Sequence, residues 1–265
     1  MSGQLERSNW PDFFLVYTAI SFTASGKVEF MRVIPLILLL IALSGCGRYF
    51  HTPLQPSEQQ GDGMTLNDDG SITFTRDRLS INLKPMTDDE LNRLSAASAD
   101  PSLNPYTFGT WKAPGDEHTP ARFTVFRLKV NNYQYPKIQI DPLEASISTT
   151  NSRYYESLSY ADLYNYYRAF WLGRTGQGRQ AFQTRTDALK RTLYSDALIF
   201  SGNEEQGFLV FPTLHDDVRD IDVLIKNVAL RFDYANEPIE TLDLSFSFSR
   251  DILQGYSAAM AQPRN

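Results

Sequence analysis

The nine residues TLDLSFSFS, Thr241 to Ser249, put Leu242, Leu244, Phe246 and Phe248 at every second position with polar residues between them. A period of two places all four apolar side chains on one face of a strand, so that face must be covered by another layer. The same period recurs at Ile72 and Phe74, after the turn signal Asp69-Gly70, and at Leu79, Ile81 and Leu83. In ARFTVFRLKVNN the apolar set changes parity, from Phe123 and Val125 to Phe126, Leu128 and Val130, which predicts a bulge or burial of both faces. IDVLIKNVALRFDY carries Val223 and Ile225, then Val228, Leu230 and Phe232, and Asn236 to Pro238 joins it to the last strand as a hairpin. Shorter strands are predicted at Ile138 to Ile140, Ala145 to Ile147 and Phe208 to Phe211, the last after a turn centred on Gly207.

The period switches to that of a helix in two places. Thr87 to Glu90 (TDDE) reads as a capping box opening a short helix through Leu91 and Leu94. Ser159 with Asp162 caps a longer one, in which Tyr160, Leu163, Tyr164, Tyr167, Phe170 and Trp171 fall on one face. A partner follows with Phe182, Thr186, Leu189 and Leu193 at i, i+4, i+7 and i+11. The pair spans about residues 159–194. The fold predicted is mainly β, an immunoglobulin-like β-sandwich with an inserted helical hairpin, over residues 67–254. Fourteen tyrosines and 17 phenylalanines suit such a core.

Upstream lies MRVIPLILLLIALSGCGRYF, residues 31 to 50, with one cation, no polar side chain from Val33 to Leu43, and then the chain's single cysteine, Cys46. The run has the length of a signal-peptide core and falls short of the ~18 apolar residues of a spanning helix. Leu43, Ser44, Gly45 and Cys46 resemble the lipobox of bacterial lipoproteins. That resemblance implies signal-peptidase recognition of Leu43-Ser44-Gly45, cleavage before Cys46, a diacylglyceryl group on its thiol and usually an acyl chain such as palmitate on the new amino terminus. With Gly47 next, it further implies an outer-membrane anchor facing the periplasm in an organism with two membranes. The competing readings are a buried strand or helix over Met31 to Leu43 with an ordinary core cysteine, or a single-pass anchor that includes Phe13 to Phe22. Met31 is expected to be the true start, residues 1–30 being an N-terminal extension.

Residues 46–66 contain Pro53, Pro56, Gly61 and Gly63 with little apolar periodicity and are expected to be a flexible tether; residues 255–265 are expected to fray. Asp100 to Pro120, with four prolines, reads as a long loop. Residues 1–45 carry three cations and three anions, so the remainder keeps the formal charge of −6. An acidic chain without a Lys/Arg block argues against nucleic acid, or an anionic lipid surface, as main partner. The region from about residue 120 to 250 resembles the exported β-sandwich domains of uncharacterised bacterial lipoproteins, from which it departs by the helical pair.

No residue pattern points to catalysis, and no cofactor or metal is expected. His215 with Asp216 and Asp217 reads as a solvated turn, because adjacent positions on an extended chain diverge. Asn67 to Ser71 (NDDGS) lacks the alternating ligands of a calcium loop. Gly173 to Arg179 (GRTGQGR) reads as a connector between helices, with a phosphate cradle as the rival. Tyr160, Tyr164, Tyr167 and Trp171 are the candidate partner surface, against the alternative that the stripe packs on the sandwich. The function expected is a lipid-anchored, non-catalytic binding or assembly accessory with an envelope protein or glycan as partner. The rival is an envelope hydrolase acting on glycan or peptide, with His118, His215 or the Tyr160 helix beside a cleft where acids converge on a histidine.

Overall fold

Along the chain the first strands are β1 (Arg48–His51), β2 (Gln55–Pro56), β3 (Met64–Leu66), β4 (Ile72–Arg76), β5 (Leu79–Pro85) and β6 (Phe123–Asn132). Then come β7 (Lys137–Ile138), β8 (Ala145–Thr149), β9 (Tyr154–Glu156), β10 (Ile199–Phe200) and β11 (Asn203–Pro212). The last four are β12 (Asp220–Phe232), β13 (Pro238–Ser249), β14 (Ile252–Gly255) and β15 (Gln262–Pro263). Among the described residues three α-helices accompany them: α1 (Asp88–Ser95), α2 (Tyr160–Trp171) and α3 (Gly176–Thr192). This computed structural model describes residues 48–95, 100–112, 119–171, 176–255 and 260–263. The chain divides into two units, Met1–Cys46 and Gly47–Asn265.

The second unit is a β-sandwich of immunoglobulin-like type with the helical pair inserted. One five-stranded sheet has the order β11-β6-β5-β4-β3 and the other β2-β13-β12-β8-β9, all neighbours antiparallel. The alternating residues of both sheets meet between them. Phe126 sits at the centre, its ring 6.0 Å from Phe211 and 5.4 Å from Phe248.

The two changes of parity have different causes. β6 keeps an unbroken register with β5 and with β11, so its change is burial of both faces. Phe126, Leu128 and Val130 face the second sheet, while Phe123 and Val125 pack with Leu163 and Tyr167 of α2 and Leu189 of α3. In β12 the register slips between Ile225 and Val228, a true bulge. Asn227 takes a left-handed φ of 55° there, and its N–H donates to Asp243 Oδ1 at 2.8 Å.

Three expectations are corrected. Residues 48–66 are not a tether: β1, β2 and β3 pair with β14, β13 and β4, and Phe50 is buried. Gln60 acts as a substitute strand residue, donating Nε2–H to Ser247 O at 2.7 Å and accepting from Ser247 N at 3.1 Å. The tail is not frayed throughout, since β14 lies between β1 and β15. Gly207 is no turn centre. It lies inside β11, and the turn before that strand is at Gly202, whose φ is +85°.

Candidate functional site

β5 ends at Pro85, and two residues later a reciprocal capping box starts α1. Thr87 N donates to Glu90 Oε2 at 3.0 Å and Glu90 N to Thr87 Oγ1 at 3.3 Å. Lys84 closes on Glu90 at 2.9 Å and braces the junction. This sets Asp88 and Asp89 in the first turn of α1 with Asn92 one turn on, where they line a cleft of about 700 Å³. Its remaining wall comes from distant parts of the chain: the link from His51 to Leu54 between β1 and β2, Phe123 and Val125 of β6, Asp216 beyond β11 and Arg250 beyond β13.

The first part of the long loop beside α1, residues 100–112, is packed down rather than free. Asn92 Oδ1 accepts from Asn104 Nδ2 at 2.9 Å and from Thr107 Oγ1 at 2.6 Å, and Asn104 and Thr107 are both buried. That clasp brings Gly109 and Lys112 to the cleft.

Charge in the cleft is unevenly satisfied. His51 Nε2–H donates to the Asp216 carbonyl oxygen at 3.1 Å, with Asp216 Oδ1 at 3.8 Å. Arg250 donates from Nε to Val218 O at 2.8 Å and from Nη2 to His215 O at 2.7 Å, and desolvation lowers its pKa. Asp88 is half-buried. Loss of water around it, with the charge of Asp89 adding to the effect and Arg122 opposing it, raises its pKa to about 6.

Below the ordinary carboxyl value of 3.8 Asp88 is neutral whether the chain is folded or not; above about 6 the folded protein holds a penalised carboxylate, so this group lowers stability as pH rises through that window. Asp88→Asn is therefore expected to stabilise the domain by about 1 kcal/mol at pH 7.5, after screening of a partly solvated group, and by nothing near pH 4. Denaturant melts at the two pH values measure it. An equal change at both would show that the charge is not the cause.

Among the described residues of the stripe on α2, Leu163 and Tyr167 are packing. Tyr167 is 3 % exposed, its hydroxyl donates to Pro105 O and accepts from Arg122 Nη1 at 2.9 Å, and burial pushes its pKa up to about 12. Tyr167 is thus withdrawn from the candidate surface. Tyr160 and Tyr164 are half-buried, with rings 6.0 Å apart, and Tyr164 meets Phe182 of α3 at 5.1 Å. The side chain of Trp171 lies outside the described residues, as do Leu43, Ser44, Gly45, Cys46 and His118.

Other candidates resolve into local structure. His215 is exposed in a turn, 3.6 Å from Asp217, which also pairs with Arg153 at 2.8 Å. Asn67 to Ser71 is a turn in which Asp69 Oδ1 accepts from Ser71 N and Ser71 Oγ. In Gly173 to Arg179, α3 is already under way at Gly176. Among the described residues no group of three or more His, Cys, Asp or Glu is placed to hold a metal ion. Among the described residues the histidine that lines the cleft is His51, from the presumed tether, rather than His215. The TDDE motif could place Asp88 and Asp89 on a helix. Nothing local to it signals that they border a cleft.

The chain matches no protein-family model and no curated protein. Among solved structures it is similar to the secreted protein MPT63 of Mycobacterium tuberculosis, at 12% identity over 57% of this chain and 82% of that one, with a TM-score of 0.27.

Proposed function

We propose that the protein is a lipid-anchored component of the bacterial cell envelope, held by acyl chains on Cys46, and that its folded domain is a non-catalytic binding or assembly accessory working through the cleft. The observation that carries the reading is a coincidence of boundaries. The folded unit runs Gly47–Asn265, so cleavage after Gly45 would leave it whole with Cys46 in front. Two or more acyl chains supply stable anchoring where one is marginal, each buried methylene contributing about 0.8 kcal/mol. No described helix is long and apolar enough to cross a membrane. In a two-membrane organism the position after Cys46, glycine, favours the outer membrane facing the periplasm.

A hydrolytic reading retains one observation in its favour: a cleft carboxyl, Asp88, with its pKa raised to about 6, on a lining that also includes His51 and Asp216. Fractionation of intact cells tests the anchor. The natural chain is expected with the membranes at a mass above that of the peptide from Cys46 by its acyl groups, and Cys46→Ala in the soluble fraction. In the same cells, a photo-crosslinking residue in place of Asn92 is expected to capture an envelope protein or glycan that the same residue at Tyr154 does not. A natural chain recovered soluble, with residues 1–45 intact, would overturn the reading.

A further inference from the structure

Building on the lipid-anchor reading, we infer that the domain stands directly on the bilayer, with the small sheet β1-β14-β15 against the lipid headgroups and the opposite pole of the sandwich held outward. Chain length is the first argument. Only Gly47 separates Cys46 from β1, and two trans peptide steps span at most about 7 Å. β1 has no slack to add: Arg48, Tyr49, Phe50 and His51 pair in register with Gly255, Gln254, Leu253 and Ile252, and Thr52 N donates to Asp251 O at 3.1 Å. Acyl chains on Cys46 begin at the hydrocarbon boundary, so a strand starting two residues later lies within the headgroup layer, which is about 5–7 Å thick on each side.

Side-chain chemistry agrees. The small sheet and its flank expose Tyr49, a ring with a polar end, and Met260, flexible and apolar, at 36% and 75%. Such residues suit the boundary between oil and water. Arg219 is 3.5 Å from Asp251, and Arg250 is spent on two carbonyls.

The far pole is fixed by β12. That strand starts at Asp220, where Arg250 N donates to Arg219 O, and runs 13 residues to Phe232. At about 3.3 Å per residue it spans roughly 40 Å. Lys137 lies 4.5 Å over the Phe232 ring and pairs in register with Phe200, so exposed Phe200 and Tyr234 sit at the outward end. The cleft, which includes Tyr49 and His51, sits at the membrane end.

The experiment uses the full lipidated protein in phosphatidylcholine vesicles whose headgroups carry a quencher, with a fluorescent amino acid replacing either Met260 or Tyr234. Quenching is expected to be several-fold stronger at 260 than at 234, and unchanged by added salt. A Gly/Ser linker of about twelve residues between Gly47 and Arg48, spanning roughly 20 Å, is expected to remove most of that difference. Protein that floats with the vesicles but is quenched equally at both positions, or more at 234, overturns the orientation alone. Protein that does not float overturns the anchor, and the orientation with it.

Discussion

Gly207→Ala is expected to destabilise the domain by about 3 kcal/mol, at the upper end for overpacking, because what the new methyl would meet is backbone. A Cβ at this position would lie 2.4 Å from Tyr194 Cα, 2.5 Å from Tyr194 N and 2.8 Å from the Leu193 carbonyl carbon. A side chain could swing away, but this segment is pinned. It leaves α3 and crosses β11 as a parallel bridge between Leu193 and Phe208, with Tyr194 N donating to Phe208 O at 3.0 Å. It is held by its own side chain Tyr194, buried in the core, and by Leu189 of α3, buried against Leu163 and Tyr167 of α2. Relief requires moving the crossing chain or bending β11 away from it. The denaturant midpoint should fall with the slope unchanged. A loss below about 1 kcal/mol would show that the crossing yields cheaply.

Asn132→Ala is expected to cost about 3 kcal/mol by a different route, the loss of partners for buried backbone groups. Asn132 is fully buried at the end of β6. Its Nδ2 donates to Tyr135 O and to Ile199 O, both at 2.9 Å, and its Oδ1 accepts from Tyr135 N at 3.0 Å and Gln134 N at 3.3 Å. One amide therefore ties the loop after β6 to β10, and its removal takes this buried partner from Tyr135 N, Tyr135 O and Ile199 O. Asn132→Asp separates shape from bonding. It keeps the size and the acceptor, loses both donations, and places a carboxyl where burial favours the neutral form, so its stability should fall further as pH rises. Hydrogen exchange at the Tyr135 amide reads the loop directly. Unchanged protection in Asn132→Ala would sink the argument.

Local patterns were readable because their causes are local. Alternation in Thr241 to Ser249 reports one covered face, and the two capping boxes at Thr87 and Ser159 form in the structure through hydrogen bonds spanning three residues. The parity changes were also visible, at Val125/Phe126 and at Ile225/Val228. Sequence could not separate them, since burial of both faces and a bulge leave the same shift of apolar positions. The stripe on α2 was equally ambiguous, and the cover it gives to β6 buries Tyr167.

The presumed tether and the cleft were misread or missed for one reason. Residues 48–60 look featureless alone because their partners, Gly255 for Arg48 and Ser247 for Gln60, stand about two hundred positions later. The cleft gathers His51, Asp88, Asp216 and Arg250 in the same way. By itself the amino-acid order determined the β class, the helical insertion and the places where α1 and α2 begin, since these depend on side-chain period and on capping within one turn. Only the tertiary structure decided which strands pair, which of two faces is covered and which polar residues share a cleft, because these depend on contacts between segments that carry no mark of one another.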